Sequence, residues 1–598
     1  MTELHARSCF SFLAGSSTPE DLIDAAARLD LSSIALTDID NLAGAPRFYM
    51  AARKAGVRAQ VGAEITLERG GRLTLLAENR TGYQNLSRLI TSMKLRAPKG
   101  EHAASDDELR QHANGLVCLT RGHHPLDWLA SIYDRDYLAL ELNRHGRREQ
   151  ELRNQWLIEE AARRKLPLIA SNAPRYAAPQ ARELYDVLTC VQHKTTIAEA
   201  GRLLDHNAER YLKSPRQLER LFRDVPHALG GARDLAARLD FTLADLGYRF
   251  PPYPVPDGES MNSFLRQRTY EGAADRFRPF TERHRQQLDR ELALIEKLDL
   301  AGYFLIVWDL AKYARENNIL VQGRGSAANS AVCYALRITA VDPIALDLLF
   351  ERFLSENRGE WPDIDLDLPS GEQRERVIQY VYQRYGPRGA AMTANVITYR
   401  GRSGIRDIGK VLGFPQEQLD RIAHCVSRWG FKDPDESADK AFEQANVDIR
   451  DPRVRKFISL YQQIRSLPRH LGQHSGGMVI CAGSLDSVVP LEPATMPGRV
   501  IIQWDKEDCA DLGLIKVDLL GLGMMAVLEE SVQMIRDFHG DDIDLGHLPP
   551  DDPAVYRDLQ TADTVGLFQV ESRAQMSSLP LVRPEKFYDI VIQVAIIR

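Results

Sequence analysis

The stretch WPDIDLDL, residues 361–368, sets Asp363, Asp365 and Asp367 at alternate positions with Ile364, Leu366 and Leu368 between them. Period two is the period of a strand, so the three carboxylates share one face and the aliphatic side chains pack on the other. Adjacent like charges on a strand face repel. Divalent cations are the natural compensation, because magnesium takes carboxylate, water and phosphate oxygens, and two carboxylates one pleat apart can bridge two such ions. LIKVDLLGL repeats the logic: Lys516 and Asp518 lie two apart on one face, with Ile515, Val517 and Leu519 on the other. Taken alone, that pair reads equally well as a structural ion pair. Beside the aspartate strand it reads as a third carboxylate for the metals and a cation for phosphate. A third stretch, LVQGRGSAANSAVCYALRI, has Gly323 and Gly325 for a tight turn. Ser326 is expected to open a helix there, whose N-terminal amides form an anion site with help from Arg324. It is not a Walker A loop, since GxxxxGK[ST] is absent.

The elements that must position these residues belong to a large chain. At 598 residues it is too long for one hydrophobic core, so three or four domains are expected. Hydrophobic residues at 44% and charged residues at 27% are ordinary for a soluble globular protein. A net charge of -7 does not advertise nucleic-acid binding, although a local basic groove can coexist with an acidic whole. The seven cysteines are scattered singly without CxxC spacing. That excludes a zinc knuckle or a thioredoxin-type motif and reads as buried thiols in a reducing, cytoplasmic compartment. The N-terminus lacks the pattern of a signal peptide, and no apolar run is long enough to span a bilayer.

Residues 1–235 alternate strand-like pieces (SSIALTD, VRAQVGAEITL, GRLTLLAE) with amphipathic helices (DLIDAAARLD, APRFYMAARKAG). The alternation predicts an α/β domain with a largely parallel sheet, a barrel. GYRFPPYPVPDGES reads as a linker. A helical stretch follows it, then a mixed segment from about 318 to 395, a helical region over 396–474, a second mixed segment through LIKVDLLGL, and a helix at MMAVLEESVQMIRDF. The last residues, YDIVIQVAIIR, form an apolar element that ends without a turn or cap, as in a chain cut inside a larger protein.

The glycine–serine loop, the paired aspartates and the later single aspartate resemble the nucleotidyltransferase palm of the polymerase β type. They are similar, more closely still, to bacterial C-family DNA polymerase III α-subunits. That family carries a GRGS loop, an ITxxDPxxxDLLFERFL-like segment and PDxDxD. Here these read Gly323 to Ser326, ITAVDPIALDLLFERFL, and Pro362 to Asp367. The resemblance implies a multidomain α/β and α+β chain: a PHP-type (polymerase and histidinol phosphatase) α/β barrel at 1–235, a palm at 236–395 and 475–524, a helical thumb at 396–474, and the start of helical fingers at 525–598. It implies two Mg2+ ions on Asp365, Asp367 and Asp518 as catalytic carboxylates, and it sets Asp363 aside as a structural neighbour. It further implies nucleotide binding by Arg324, Gly325, Ser326, Lys516 and Arg573, with primer-template DNA and deoxynucleoside triphosphates as substrates. Arg400, Arg402, Arg406 and Lys410, near expected helix starts in the thumb, fit a duplex backbone.

In the N-terminal domain the resemblance points to a depleted metal site. The family's HxH pair reads His5-Ala6-Arg7, its DH pair reads Asp38-Ile39, and NDxH reads Asn172 to Arg175, whereas Glu64 fits the glutamate. Arginine puts a fixed positive charge where a cation would sit. His5, Asp38 and Glu64 are therefore expected to form a hydrogen-bonded remnant without metals. Within the family, ELHARSCFSFLAGSS and the last 31 residues resemble the second, error-prone α-subunit, which acts in damage-induced mutagenesis with a Y-family-like partner. A housekeeping replicative α-subunit is the alternative inside the family. A PHP-type metallophosphoesterase and a non-catalytic DNA-binding scaffold are the alternatives outside it. Family members continue past the fingers to a sliding-clamp-binding motif and an oligonucleotide-binding fold, so weak or no polymerase activity is expected of this chain alone.

Overall fold

The computed structural model describes residues 1–98, 100–355, 361–428, 434–545, 548 and 551–597. The chain forms two compact units, one of residues 1–251 with 382–516, the other of residues 252–381 with 517–598. Residues 429–433 of the expected thumb lie outside the described residues. In chain order the strands are β1 (Thr2–Ala6), β2 (Ser33–Ile39), β3 (Arg58–Thr66), β4 (Arg72–Ala77), β5 (Leu116–Thr120), β6 (Leu138–Leu142), β7 (Leu168–Ala170), β8 (Gln322–Arg324), β9 (Asp365–Pro369), β10 (Ala390–Thr398), β11 (Pro468–Ile480), β12 (Leu491–Pro493), β13 (Val500–Ile502) and β14 (Lys516–Leu522).

In the first unit, β1 to β7 make one sheet in sequence order. The β1–β2–β3 and β5–β6–β7 ladders are parallel, as the alternation of buried strands with helices such as Pro19–Arg28 and Ala45–Ala55 requires. The β3–β4 and β4–β5 ladders are antiparallel. The sheet curls until its two edges meet through side chains: Glu3 on β1 accepts a hydrogen bond from the Asn172 amide, just past β7, at 2.8 Å. This is the expected barrel-like form, its first and last strands joined without a backbone ladder.

The same core continues into residues 390–514. Ala391, Val479, Leu485, Leu491, Ile502 and Trp504 are buried in one cluster with Leu75, Tyr83, Leu86 and Leu140. Three directional bonds pin that contact: Tyr83 Oη to the Val488 carbonyl at 2.8 Å, Trp504 Nε1 to the Leu42 carbonyl at 3.1 Å, and the Leu42 amide to Gln503 Oε1 at 2.8 Å. Here β12, β13, β10 and β11 pair in that order. The helical region expected over 396–474 is shorter than that. The β10–β11 hairpin keeps residues through Thr398 and from Pro468 onward, because the aliphatic alternation of ANVIT continues the ladder. Helices occupy Gly401–Val411, Gln416–Arg428, Pro434–Gln444 and Pro452–Ile464.

The second unit packs helices Met261–Arg276, Glu282–Lys297 and Ala301–Glu316 beside strands β8, β9 and most of β14. Eleven residues of Ala301–Glu316 are buried, which makes it the apolar backing of this unit. Gly523–His539 follows β14 directly. No helix among the described residues is long and apolar enough to cross a membrane.

Arg47 and the helix Lys506–Asp511 give the first unit a pH-sensitive joint. Arg47 Nη2 meets Asp505 Oδ2 at 2.8 Å, and its Nε stands 3.8 Å from Asp508 Oδ1. Burial, with Asp505 close by, pushes the Asp508 carboxyl up to about 8 from 3.8. The folded state thus keeps a proton that the unfolded chain releases, so this contribution to stability is lost as pH rises from 3.8 to about 8. Asp508→Asn keeps an acceptor for the helix cap and removes the titration. In urea unfolding, it is expected to gain stability relative to the parent at pH 8.5 compared with pH 4.5. An unchanged difference across that range contradicts the assignment.

Candidate active site

Three adjacent strands carry the acidic cluster. β8 runs antiparallel to β9 with Arg324 opposite Asp365, and β14 runs parallel to β9 with Asp518 opposite Asp365. One row across the sheet therefore reads Arg324, Asp365, Asp518. The other face is apolar: Ile364, Leu366, Leu368, Val517 and Leu519 are all buried. Two bonds fix that face. The Ile364 amide donates to Tyr303 Oη at 3.0 Å, and Arg374 Nε donates to the Leu519 carbonyl at 2.7 Å.

Carboxylate oxygens of Asp363, Asp365 and Asp518 lie within 4.8 Å of one another. Asp363 is exposed and precedes β9, which begins at Asp365, so the strand is shorter at this end than the alternation suggested. It is nevertheless drawn into the group, although the sequence resemblance had set it aside. Asp367 sits one pleat further along and is 6% exposed. Its Oδ1 is buried with no hydrogen-bond partner among the described residues, and Arg324 Nη1 stands 3.5 Å away. Burial raises the Asp367 carboxyl above its ordinary value, and Arg324 pulls it partly back. Arg324 Nη2 lies 3.7 Å from Asp365 Oδ2. These distances are too long for hydrogen bonds, so the guanidinium balances the charge without saturating the oxygens. An all-oxygen donor set with a buried oxygen left over fits hard divalent cations.

The glycine-rich loop differs from expectation. Gly325 has φ of +73°, the left-handed conformation that favours glycine, in open space. Ser326 does not open an α-helix: Gly325–Asn329 is a 3-10 turn, and Ser330 caps the short helix Ala331–Ala335. The amides of Ala331 and Val332 are already taken by the buried carboxylate of Glu291, each at 3.0 Å. The helix-start anion site is thus filled from inside, and what the loop presents outward is Arg324, Gly325 and Ser326. Lys516 is half-buried on β14, two residues before Asp518. Arg573 is exposed at the first position of helix Arg573–Val582, an element apart from the carboxylates.

Comparison with known proteins agrees with this layout. Residues 263–521 match the family model described as the bacterial DNA polymerase III alpha NTPase domain, residues 3–145 the PHP domain, and residues 524–598 the bacterial DNA polymerase III alpha subunit finger domain. The chain belongs to the bacterial DNA polymerase III α-subunit family. All of it aligns with proteins named "Error-prone DNA polymerase": 44% identical in Mycolicibacterium paratuberculosis, over 56% of that protein, and 43% identical in Pseudomonas aeruginosa, over 58%. A protein of the same name from Mycobacterium bovis is 43% identical over 56% of its length. The chain thus spans a little over half the length of these relatives. Membership of this polymerase III α family implies divalent-metal dependence in general terms.

In the PHP domain of this polymerase III α chain, the residues expected to form a remnant are bonded to one another. His5 bridges two buried acids, Nε2 to Glu64 Oε1 at 2.7 Å and Nδ1 to Glu141 Oε1 at 2.8 Å. Arg7 donates to both oxygens of Glu64 through Nε and Nη2. Burial works against the Glu64 charge, yet Arg7 and His5 hold its carboxyl well below the usual range. Asp38 belongs to a separate group, accepting from the Ser8 amide at 2.8 Å, Ser8 Oγ at 2.7 Å and Ser11 Oγ at 2.6 Å. The remnant is therefore two networks, and Glu141 is a member that sequence reasoning missed. Its signal was LALELN, an acid alternating inside a buried strand. On helix Gly401–Val411, Arg402, Arg406 and Lys410 are exposed at fourfold spacing, one stripe on a helix. Arg400 precedes them at the N-cap, and Arg406 donates to Asp420 Oδ1 at 3.0 Å.

Two outcomes follow. In an electron-paramagnetic-resonance titration with Mn2+, Asp365→Asn and Asp518→Asn each weaken binding by about tenfold or more, since each removes a unit charge beside the ion. Asp363→Asn, at an exposed position, weakens it less. Unchanged binding in Asp518→Asn removes the metal from this row. In the PHP domain, Arg7→Met leaves Glu64 buried beside an apolar side chain and is expected to cost roughly 3–5 kcal/mol in urea unfolding. A loss below about 1 kcal/mol, the range of an exposed pair, contradicts a structural role for that bond.

Proposed function

We propose that the chain carries the catalytic core of a DNA-directed DNA polymerase of the error-prone type, acting in damage-induced mutagenesis or translesion synthesis in the cytoplasm. The row Arg324, Asp365, Asp518 in register across β8, β9 and β14 carries the reading. The names of these relatives favour the error-prone branch over a housekeeping replicative enzyme.

In this reading Asp365, Asp367 and Asp518 hold two Mg2+ ions over the acidic face, with Asp363 at its edge. Bound magnesium supplies Lewis-acid chemistry, acidifying the primer 3′-hydroxyl and neutralising charge on the triphosphate and the departing pyrophosphate. Arg324 turns from the carboxylates to the incoming phosphates, and Lys516 adds charge from the same strand. Gly325 and Ser326 let phosphate oxygens approach the loop closely. Arg573 approaches the nascent base pair from the fingers. Arg400, Arg402, Arg406 and Lys410 meet the duplex backbone without reading bases. Palm (236–395 and 475–524), thumb (396–474) and fingers (from 525) divide these tasks. The PHP domain acts as metal-free structural support. A sliding clamp and a Y-family-like mutagenesis partner engage regions beyond this chain.

Primer extension by the complete polymerase tests the reading. Asp365→Asn and Asp518→Asn are expected to lower the extension rate about a thousandfold or more, a loss of roughly 4 kcal/mol of transition-state stabilisation. Primer-template affinity in each variant stays near the parent value. Full extension by either variant sinks the assignment.

A further inference from the structure

Glu291 occupies an unusual place for a carboxylate. On helix Glu282–Lys297 the buried residues Leu288, Leu292 and Ile295 form an apolar stripe, and Glu291, 0% exposed, sits within it. A carboxylate withdrawn from water is costly unless other donors replace the water. Its Oε1 accepts from the Ala331 amide at 3.0 Å and from Gln287 Nε2 at 2.8 Å. Its Oε2 accepts from the Val332 amide at 3.0 Å and from Ser330 Oγ at 2.8 Å. Burial raises the Glu291 carboxyl above its ordinary value, and these donors pull it partly back.

Ser330, Ala331 and Val332 follow directly on the glycine-rich turn Gly325–Asn329. Ser330 closes that turn, since its amide donates to the Ala327 carbonyl at 3.1 Å. Asn329 Nδ2 donates to the Ser326 carbonyl at 3.0 Å. The other end of the loop is held by the sheet. There Arg324 stands opposite Asp365 in the β8–β9 ladder, and the Gly323 amide donates to the Ile338 carbonyl at 2.6 Å. Between the two ends Gly325 stands in open space. One anchor of the loop is thus a strand, and the other is a side chain 40 residues earlier than Ala331.

We infer that Glu291 is a positioning residue for nucleotide binding: it fixes the end of the loop, so that Gly325 and Ser326 are set for the triphosphate before it arrives. The inference rests on the polymerase reading and adds to it a residue that acts through Ser330 rather than on the substrate. Glutamine cannot do the same work. Its single oxygen faces only one pair of donors, and its NH2 group then points at the Ala331 or the Val332 amide. The loop end shifts to relieve that contact, or a buried amide is left unpaired. Loss of the carboxylate also removes a negative charge near the loop, which by itself would tighten triphosphate binding. The bonds outweigh the charge, because donors at 2.8 to 3.0 Å already compensate it.

Steady-state single-nucleotide incorporation by the complete polymerase tests this, with KM for the nucleotide and kcat measured separately and Asp518→Asn run alongside. In Glu291→Gln, KM is expected to rise about tenfold or more while kcat falls less than about threefold. Primer-template affinity keeps the parent value. A role in stability alone does the reverse: it lowers the amount of active enzyme, and with it kcat, at unchanged KM. Ser330→Ala deletes the Ser330 Oγ bond, keeps a small buried side chain, and is expected to raise KM about threefold. That variant decides the question should Glu291→Gln not fold. With Asp518→Asn inactive, a KM that is unchanged or lowered, or a fall in kcat at unchanged KM, overturns the inference. Full extension by Asp518→Asn overturns the polymerase reading, and this inference with it.

Discussion

Concentrated negative charge on one face of β9 and β14 is the constraint on which the second unit depends. Asp363, Asp365 and Asp518 bring carboxylate oxygens within 4.8 Å of one another, with Asp367 one pleat away. At that spacing a pair of charges repels by about 3 kcal/mol at an effective dielectric of 20. Ile364, Leu366, Leu368, Val517 and Leu519 oppose it, each buried aliphatic side chain contributing roughly 1.5–3 kcal/mol. The apolar face therefore wins, and the strands stay paired in spite of the repulsion. That leaves the acidic face ready to take up cations, and the long contacts from Arg324 meet the need only in part.

The PHP domain meets the same physical problem and solves it differently. Glu64 and Glu141 are both buried, but His5 lies between them and Arg7 bonds both oxygens of Glu64. A guanidinium at hydrogen-bonding distance takes the place that a cation needs, whereas one at 3.5 to 3.7 Å leaves room for it. The same residue type thus bonds one acidic group directly and stands back from another.

Much of the palm was legible because it rests on period-two alternation. Asp365, Leu366 and Asp367 fall on the expected faces, and Asp518 stands opposite Asp365. The curled sheet of the first domain was legible from the alternation of short buried strands with amphipathic helices. What could not be read was set by contacts distant in sequence. Glu291 fills the helix start after the GRGS loop from some 40 residues away, and nothing local to Ser326 announces it. Glu141 reaches His5 across 136 residues. The end of the β10–β11 hairpin depends on which side of Thr398 the ladder stops, and local propensity does not settle that. Asp363 shows the opposite limit: its alternation with Asp365 was plain, but its closeness to Asp518 comes from strand pairing.

Anomalous diffraction from the complete polymerase, crystallised with Mn2+, primer-template DNA and a non-hydrolysable nucleotide, tests the central claim most directly. Metal peaks are expected in direct contact with Asp365 and Asp518, and no peak on His5 or Glu64. Peaks in the PHP domain with an empty acidic row on β9 and β14 would contradict it.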